Sequence, residues 1–369
     1  MSQPVSRTES RAESRALNRA WLLYGANGYT GELIARAAAA AGEQPILAGR
    51  NAGAVTALAQ ELGLPSRVFA LDDPAALRSG LDGVSVVLHA AGPFTATAAP
   101  MIEACLHTGA HYVDITGEIA VFELAFAQHA RAQAAGVVLC PGVGFDVIPT
   151  DCVAAALAAA LPGVTTLALG FDSRSAPSPG TARTSLQGLG QGGKVRRGGR
   201  IVDVPLGAEV RRIDFGAGEK LAMAIPWGDV STAFHTTGIG DVTVYMPVSS
   251  RMLRLVRALE RLRRLPGASW LGLQLGARLR GVVQGPDATA RAATPTWVWG
   301  EARDARGRTV RARLRTANGY DVTVHGALAA VAHLRKRRGP GGFFTPARLL
   351  GPSIAEQLPG SGRLTLEAD

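Results

Sequence analysis

The 369-residue chain has few cysteines and no long apolar run, and both absences limit what it can be. Its three cysteines, Cys105, Cys140 and Cys152, form no Cys-x-x-Cys pair, so we expect neither a disulfide framework nor a bound metal. A reducing, cytoplasmic setting fits this composition best. Because no apolar stretch reaches the roughly 18 residues that span a bilayer, the sequence predicts no membrane-spanning helix.

Aromatic residues and lysines are also scarce: aromatics make up 5% of the chain, and only 3 of its 39 basic residues are lysines. The net charge of +10 is uneven, because residues 1–150 carry −4 and the remainder carries +14. A basic half indicates either an arginine-rich surface without a partner, or a negatively charged partner such as a nucleic acid, an anionic membrane or an acidic substrate. Since the sequence has no aromatic-studded basic strand and no helix–turn–helix, we predict no nucleic-acid partner.

The spacing of the apolar residues divides the chain into three parts. Residues 1–19 alternate Arg, Glu and Ser, which predicts a disordered leader rather than a secretory signal. Between residues 21 and 140, short apolar strands alternate with helical stretches, so we expect βαβ units in a Rossmann-type parallel sheet. Successive strands follow, including a hairpin formed by 296–303 and 308–316, which favours a second, α+β domain with a mixed or antiparallel sheet.

The sharpest motif follows the first predicted strand and opens a helix. It reads Gly25-Ala26-Asn27-Gly28-Tyr29-Thr30-Gly31, a G-x-x-G-x-x-G variant of the dinucleotide-binding turn. Gly25 and Gly28 allow a tight turn and close approach of a pyrophosphate, while Gly31 allows the helix to pack against the strand. The helix N-terminus then offers free N–H groups to the phosphates.

The end of the second predicted strand indicates which dinucleotide binds. An NAD enzyme places Asp or Glu there, whereas this chain has Arg50 and Asn51 after Ala48-Gly49. An arginine can pair with the 2′-phosphate of NADP, so NADP is the predicted cofactor. Gly92 and Pro93 follow the fourth strand, where they would let the cofactor pass close to the backbone. The predicted cofactor-binding residues are Gly25, Asn27, Gly28, Tyr29, Thr30, Gly31, Arg50, Asn51, Gly92 and Pro93.

Together these motifs resemble the saccharopine dehydrogenase-like family of NADP-binding reductases, most closely the branch with trans-acting enoyl reductases. The matching sequences are GANGYTG, AGR and AGPF in the first part, YVDITGE at 112–118 and GFDVIPTD at 144–151, and SPGTARTSL at 178–186, QGPD at 284–287 and GGFFTPARLLG at 341–351. The resemblance implies a Rossmann domain at 20–150, a substrate or dimerisation domain at 151–340, and a C-terminal segment, 341–369, that packs back on the Rossmann domain. It also makes a homodimer one expectation.

The proton donor of such a reductase is harder to find than its cofactor turn. A Tyr-x-x-x-Lys mechanism is excluded, because none of the tyrosines has Lys four residues later. Tyr112, Asp114 and Glu118 follow the fifth strand, and Asp146 follows the sixth, at the expected active-site edge. The candidates are therefore Tyr112, Asp114 and Asp146. The alternative is that Asp114 and Asp146 cap the helices that follow them.

Two further motifs allow more than one interpretation. Residues 188–194, GLGQGGK, resemble a P-loop, but Val195 replaces the expected Ser or Thr and no clear strand precedes, so we favour a loop beside the substrate. Residues 250–265 form a basic amphipathic helix, followed by Trp270. Through 250–280 the protein could contact an anionic membrane or an acidic carrier protein, or the helix could simply pack on the second domain.

We therefore predict an NADP-dependent oxidoreductase that reduces an enoyl or imine group of a lipid-like or other small-molecule substrate. We expect the protein in the cytoplasm, either free or associated with a membrane surface. The alternative is a non-catalytic, NADP-binding or membrane-associated adaptor on the same fold.

Overall fold

The computed structural model of the chain describes residues 20–178, 180, 192–263 and 285–368. The predicted leader, most of the SPGTARTSL and GLGQGGK motifs, and Trp270 lie outside the described residues. Within the described ranges the chain forms two sheets, of seven and nine strands.

The seven-stranded sheet is entirely parallel and confirms the predicted βαβ architecture. Its strand order is β15-β6-β5-β4-β1-β2-β3, which contains the 3-2-1-4-5-6 order of the Rossmann fold. Its strands are β1 (Ala20–Tyr24), β2 (Ile46–Gly49), β3 (Ser66–Val68), β4 (Val84–His89), β5 (His111–Asp114), β6 (Val138–Cys140) and β15 (Gly342–Phe343).

Helices cover both faces of this sheet, because its strands are apolar on both sides. They are α1 (Tyr29–Ala40), α2 (Ala52–Leu62), α3 (Pro74–Gly80), α4 (Phe94–Thr108), α5 (Ile119–Ala127) and α6 (His129–Ala134). The helical stretch before β6 is two helices rather than one, because the chain turns at Gln128, whose N–H donates to the Ala125 carbonyl at 3.1 Å. No Gly or Pro marks this break, so the apolar period could not show it.

The second sheet mixes parallel and antiparallel pairs, as expected of the α+β domain. Its strands run in the order β10-β11-β12-β7-β13-β14-β16, and β8 pairs with both β12 and β9. They are β7 (Val164–Asp172), β8 (Gly193–Arg197), β9 (Arg200–Val204), β10 (Val210–Asp214), β11 (Glu219–Ala224), β12 (Asp241–Pro247), β13 (Thr296–Asp304), β14 (Thr309–Thr316) and β16 (Thr365–Ala368).

The remaining helices connect and cover the two sheets. They are α7 (Ile148–Ala160), α8 (Asp229–Thr237), α9 (Ser250–Arg263), α10 (Ala288–Ala293), α11 (Gly319–Lys336), α12 (Pro346–Leu350) and α13 (Ile354–Gln357). The sequence indicated neither α8 nor α10, and β8 replaces the loop expected at the end of the GLGQGGK motif. None of the helices in these ranges combines the length and apolarity that crossing a bilayer requires.

The last part of the chain does not follow the predicted division at residue 340. Helix α11, expected in the second domain, packs against α1, β4 and β5 of the first sheet and contributes Val324, Ala327 and Val331 to its core. Strand β15 extends the same sheet, as the C-terminal segment was expected to do. For strand β16 that expectation is wrong, because β16 pairs with β14 of the second sheet. The chain therefore crosses between the two sheets several times.

Candidate cofactor and active site

The glycine turn lies between β1 and α1 and is too tight for side chains at two positions. Gly25 has φ +85°, and a Cβ on it would lie 2.8 Å from the Ala91 nitrogen. A Cβ on Gly31 would overlap the Gly25 carbonyl oxygen. These contacts bring α1 directly onto the end of β1, at the carboxyl edge of the sheet where ligands of such folds bind.

The N-terminus of α1 is open for an anion. Its N-cap residue, Gly28, has no side chain to accept the first N–H groups, and no other side chain caps this helix in the described structure. The first helical bond runs from Glu32 N to Gly28 O at 2.7 Å, so the N–H groups of Tyr29, Thr30 and Gly31 have no acceptor within the helix. Such groups, with the positive end of the helix dipole, suit a pyrophosphate.

The neighbouring helix α4 differs, because its N-terminus is already satisfied by a carboxylate. Both Glu118 oxygens accept hydrogen bonds there, from Phe94 N at 2.8 Å and from Thr95 N at 2.7 Å. Gly92 and Pro93, joined by a cis peptide bond, lie just before these two residues, and Gly92 is exposed. Of the two helix N-termini beside the glycine turn, that of α1 is therefore the one left for a phosphate.

Arg50 and Asn51 both follow β2, but they have different surroundings. Arg50 is exposed and has no ion-pair partner among the described residues. The Asn51 side chain caps α2 by accepting a hydrogen bond from Ala54 N at 3.1 Å. Asn27 is exposed and lies over Gly49, where a Cβ would be 3.1 Å from its Oδ1 atom. Arg50 is thus the residue at this edge whose charge remains free to bind a ligand phosphate.

Tyr112 and Asp114, two of the proton-donor candidates, form a buried pair. The Tyr112 hydroxyl donates to Asp114 Oδ2 at 2.6 Å, and both residues have 0% exposure. Asp114 Oδ1 also accepts from Thr116 N at 3.0 Å and from Gly142 N at 2.8 Å. Burial raises the pKa of Asp114 to about 6 and holds that of Tyr112 well above its usual value. The pair holds together the loops that follow β5 and β6.

Asp146, the third candidate, has different surroundings. It is half-buried in the loop after β6, and its carboxyl group has no hydrogen-bond partner among the described residues. Burial, and then the negative charge of Glu118, raise its pKa to about 7. A Cβ on Gly117 would lie 2.8 Å from Asp146 Oδ2, so the two loops meet at this carboxyl group.

The alternative role of Asp114 and Asp146 as helix caps is wrong. Helix α5 begins after Glu118 and α7 begins after Val147, and neither helix has a side-chain cap. The loops after β5 and β6 are longer than capping requires, and they turn both carboxyl groups toward other parts of the chain.

The second domain closes over the Asp146 loop. Trp227 Nε1 donates to the Asp146 backbone carbonyl at 2.8 Å, and the Trp227 ring lies 4.9 Å from that of Phe171 in β7. Asp229, two residues further on, is completely buried, and neither of its carboxyl oxygens has a hydrogen-bond partner in the described structure. Burial raises its pKa well above the usual value. The sequence did not single out Trp227 or Asp229, because no motif surrounds them.

Two other polar groups near this edge are structural. His89, at the end of β4, is completely buried among aromatic rings, and its Nε2 lies 2.9 Å from Thr97 Oγ1. Burial lowers the His89 pKa to about 3, so the ring is neutral. Cys140 at the end of β6 is buried, and burial raises its thiol pKa well above the usual value.

The basic helix expected at 250–265 is present as α9, but its apolar face is divided. Leu253 and Val256 pack into the core of the second domain. Met252, Leu255 and Leu259 form a separate stripe and are 52%, 51% and 55% exposed. The exposed arginines of this helix lie mainly away from the stripe: Arg251, Arg254, Arg257 and Arg261.

Comparison with known proteins agrees with this geometry. Residues 21–140 match the family described as saccharopine dehydrogenase NADP binding domain. The match covers the first sheet from β1 to β6. The resemblance predicted from the motifs is thereby confirmed for the first domain, and NADP is the cofactor of the matched family.

Two relatives show how far the similarity extends. A trans-acting enoyl reductase of Mycobacterium leprae is 32% identical over 138 residues, which are 35% of this chain and 33% of that protein. A saccharopine dehydrogenase-like oxidoreductase of Mus musculus is 31% identical over 150 residues, again 35% of each chain. These alignments span about a third of the length of the relatives.

The fold similarity extends much further than the sequence similarity. Saccharopine dehydrogenase (L-Glu forming) from Saccharomyces cerevisiae superimposes with a TM-score of 0.67, covering 95% of this chain and 100% of that one at 15% identity. The two-sheet architecture is therefore that of saccharopine dehydrogenase.

Proposed function

We propose that this protein is an NADP-dependent oxidoreductase. The observation that carries the proposal is the combination of an open helix N-terminus behind the glycine turn with a free guanidinium, Arg50, one strand away. Phosphates fit the first, and the 2′-phosphate that distinguishes NADP from NAD fits the second. When bound, NADPH supplies the hydride for a reduction.

We further propose Asp146 as the proton donor. A reduction needs a group that holds a proton at neutral pH and can release it to the substrate atom that becomes negative. A carboxyl group with a pKa of about 7 meets this requirement, and that of Asp146 is partly accessible and engaged by no other described side chain. The completely buried Tyr112 and Asp114 would act through the loops they hold together.

The substrate we propose is an enoyl or imine group on a lipid-like or other small molecule. Trp227, which is partly exposed and packs on the buried ring of Phe171, lies next to the Asp146 loop and suits an apolar substrate. The relatives named as trans-acting enoyl reductases support an enoyl rather than an imine substrate. These relatives match over about a third of their length, and a comparison of enoyl with imine substrates tests the specificity.

The experiment measures NADPH oxidation with the purified full chain on two substrate classes, long-chain enoyl thioesters and cyclic imines. We expect turnover with one class. An Asp146→Asn variant should bind NADPH normally but turn over at least about 100-fold more slowly, the lower limit of a typical general-acid contribution. NADPH binding without oxidation of either class would instead favour the non-catalytic adaptor.

The exposed stripe of α9 favours an additional role at a lipid surface. An exposed apolar stripe on a helix whose polar face carries arginines is typical of helices that lie on anionic membranes. Sedimentation with vesicles of neutral or anionic lipid tests this contact. The triple variant Met252→Ser/Leu255→Ser/Leu259→Ser should abolish binding to anionic vesicles. The control Val68→Ser/Leu366→Ser changes two apolar residues outside α9 that are 46% and 47% exposed, and it should bind as the wild type does. Binding to an acidic carrier protein but not to vesicles would reject the membrane role.

A further inference from the structure

We propose that residues 285–291, which we call the clip, couple NADP binding to the position of the second domain through Tyr29 and Arg291. The clip contains most of the QGPD motif, whose role the proposed reaction leaves unexplained. It joins the second domain to the first helical residue of the dinucleotide turn. This inference rests on the proposed NADP site and adds to it the clip residues, which lie outside the glycine turn.

The clip is shaped to hold the Tyr29 side chain. The Tyr29 hydroxyl donates a hydrogen bond to the Pro286 carbonyl. Gly285 lies directly against the Tyr29 ring, because a Cβ there would come within 2.6 Å of the ring carbon that bears the hydroxyl. Burial raises the pKa of Tyr29, which keeps this hydroxyl protonated and able to donate. The glycine and the carbonyl of QGPD are therefore both used in binding one residue of the turn.

Arg291 closes the clip from the other side. Its Nη1 atom donates to the Tyr29 hydroxyl at 3.3 Å and to the Pro286 carbonyl at 3.2 Å. Its Nε atom donates to Asp321 Oδ1 at 2.9 Å, and its side chain is only 15% exposed. Asp287 caps α10, the helix that carries Arg291, through a 2.8 Å bond from Ala290 N. The last residue of the motif thus orients the helix that presents the guanidinium.

Tyr320 extends the contact to a third segment. Its ring meets that of Tyr29 edge to face at 5.0 Å, and its hydroxyl accepts a hydrogen bond from Ser178 N. The segment that precedes β13 and the first turn of α11 therefore both contact Tyr29, and the segment that follows β7 is joined to it through Tyr320. Tyr29 also supplies one of the three N–H groups left open at the start of α1. Because Tyr29 belongs to both the phosphate site and the clip, NADP binding should change the free energy of the clip contacts. The clip contacts should change the free energy of NADP binding by the same amount.

The test combines NADPH affinity with hydrogen exchange of the full chain. In the wild type, we expect NADP to slow amide exchange across 285–293. Arg291→Met and Tyr29→Phe should each weaken NADPH binding by roughly fivefold or more, the lower range of such couplings, and should lose the NADP-dependent protection. Arg291→Lys should restore part of both, because it keeps a donor beside the Tyr29 hydroxyl.

The matched control is Arg335→Met, which removes an ion pair from the opposite end of α11, where Arg335 Nη1 lies 2.6 Å from Glu43 Oε2. It should lower stability without changing NADPH affinity or exchange at the clip. Wild-type affinity and protection in both Arg291→Met and Tyr29→Phe would overturn the coupling while leaving the proposed function intact. Absence of NADPH binding by the wild type would overturn both.

Discussion

Replacing Gly28 with alanine should separate cofactor binding from folding. Gly28 has φ −81° and ψ 159°, which any residue adopts, and a Cβ there would meet only the Gly25 carbonyl oxygen, at 3.3 Å. A shift of a few tenths of an ångström relieves this contact. Since alanine is a poorer N-cap than glycine, we expect Gly28→Ala to cost about 1 kcal/mol of stability.

The effect on the cofactor should be larger. The added methyl group would stand beside the open N–H groups at the start of α1, where a phosphate must approach the backbone closely. A hydrogen bond to a charged group contributes about 1.5–3 kcal/mol, and each 1.4 kcal/mol corresponds to a factor of about 10 in affinity. Losing one such bond should therefore raise the dissociation constant of NADPH by roughly 10- to 100-fold.

The assay is calorimetric titration with NADPH alongside thermal unfolding. Gly53→Ala is the matched control, because Gly53 lies in α2, where a Cβ would come no closer than 3.8 Å to Asn51 Oδ1. That variant should be more stable by about 0.5–1 kcal/mol and bind NADPH normally. If Gly28→Ala bound NADPH as the wild type does, the phosphate could not lie against this turn.

Three further variants test the other assignments. The wild-type reduction rate should fall as pH rises through about 7, where Asp146 loses its proton, and Asp146→Asn should be slow without this pH dependence. Burial holds the pKa of Asp229 well above its unfolded value of about 3.9, so the stability it contributes is complete below that value and is lost as pH rises toward the folded pKa. In denaturant unfolding, Asp229→Asn should therefore gain on the wild type by up to about 1.4 kcal/mol per pH unit as pH rises above the unfolded pKa. Glu118→Ala should lower the unfolding free energy by about 1–3 kcal/mol, because Phe94 and Thr95 lose the acceptor of their N–H groups; an unchanged value would contradict that role.

The sequence predicted the first sheet well because its signals are local. Apart from β3, the strands from β1 to β6 lie in short, mostly apolar runs separated by helical segments, and Gly31 is required by a contact within its own turn. Helix α8 was missed because the residues it buries include Asp229, Ser231 and Thr232, which give no apolar period. The pattern of polar and apolar residues therefore did not indicate α8, a helix that tertiary packing stabilises.

The roles of the carboxyl groups could not be predicted for a different reason. Asp114 bonds Gly142, 28 positions away, and Glu118 bonds Phe94, 24 positions away. A helix cap is a contact within three residues, so the sequence suggested caps where the fold uses long-range bonds between loops. The contact of Tyr29 with Pro286 spans 257 positions and had no local signal at all.

The account depends most on Arg50 and the phosphate it is proposed to bind. The most direct test measures the dissociation constants of NADPH and NADH for the wild type and for Arg50→Met by calorimetry. We expect the wild type to prefer NADPH by at least tenfold, with the preference lost in Arg50→Met while NADH affinity stays within about twofold, since the two cofactors differ by the 2′-phosphate alone. Equal affinity of the wild type for both cofactors, or an unchanged preference in the variant, would contradict it.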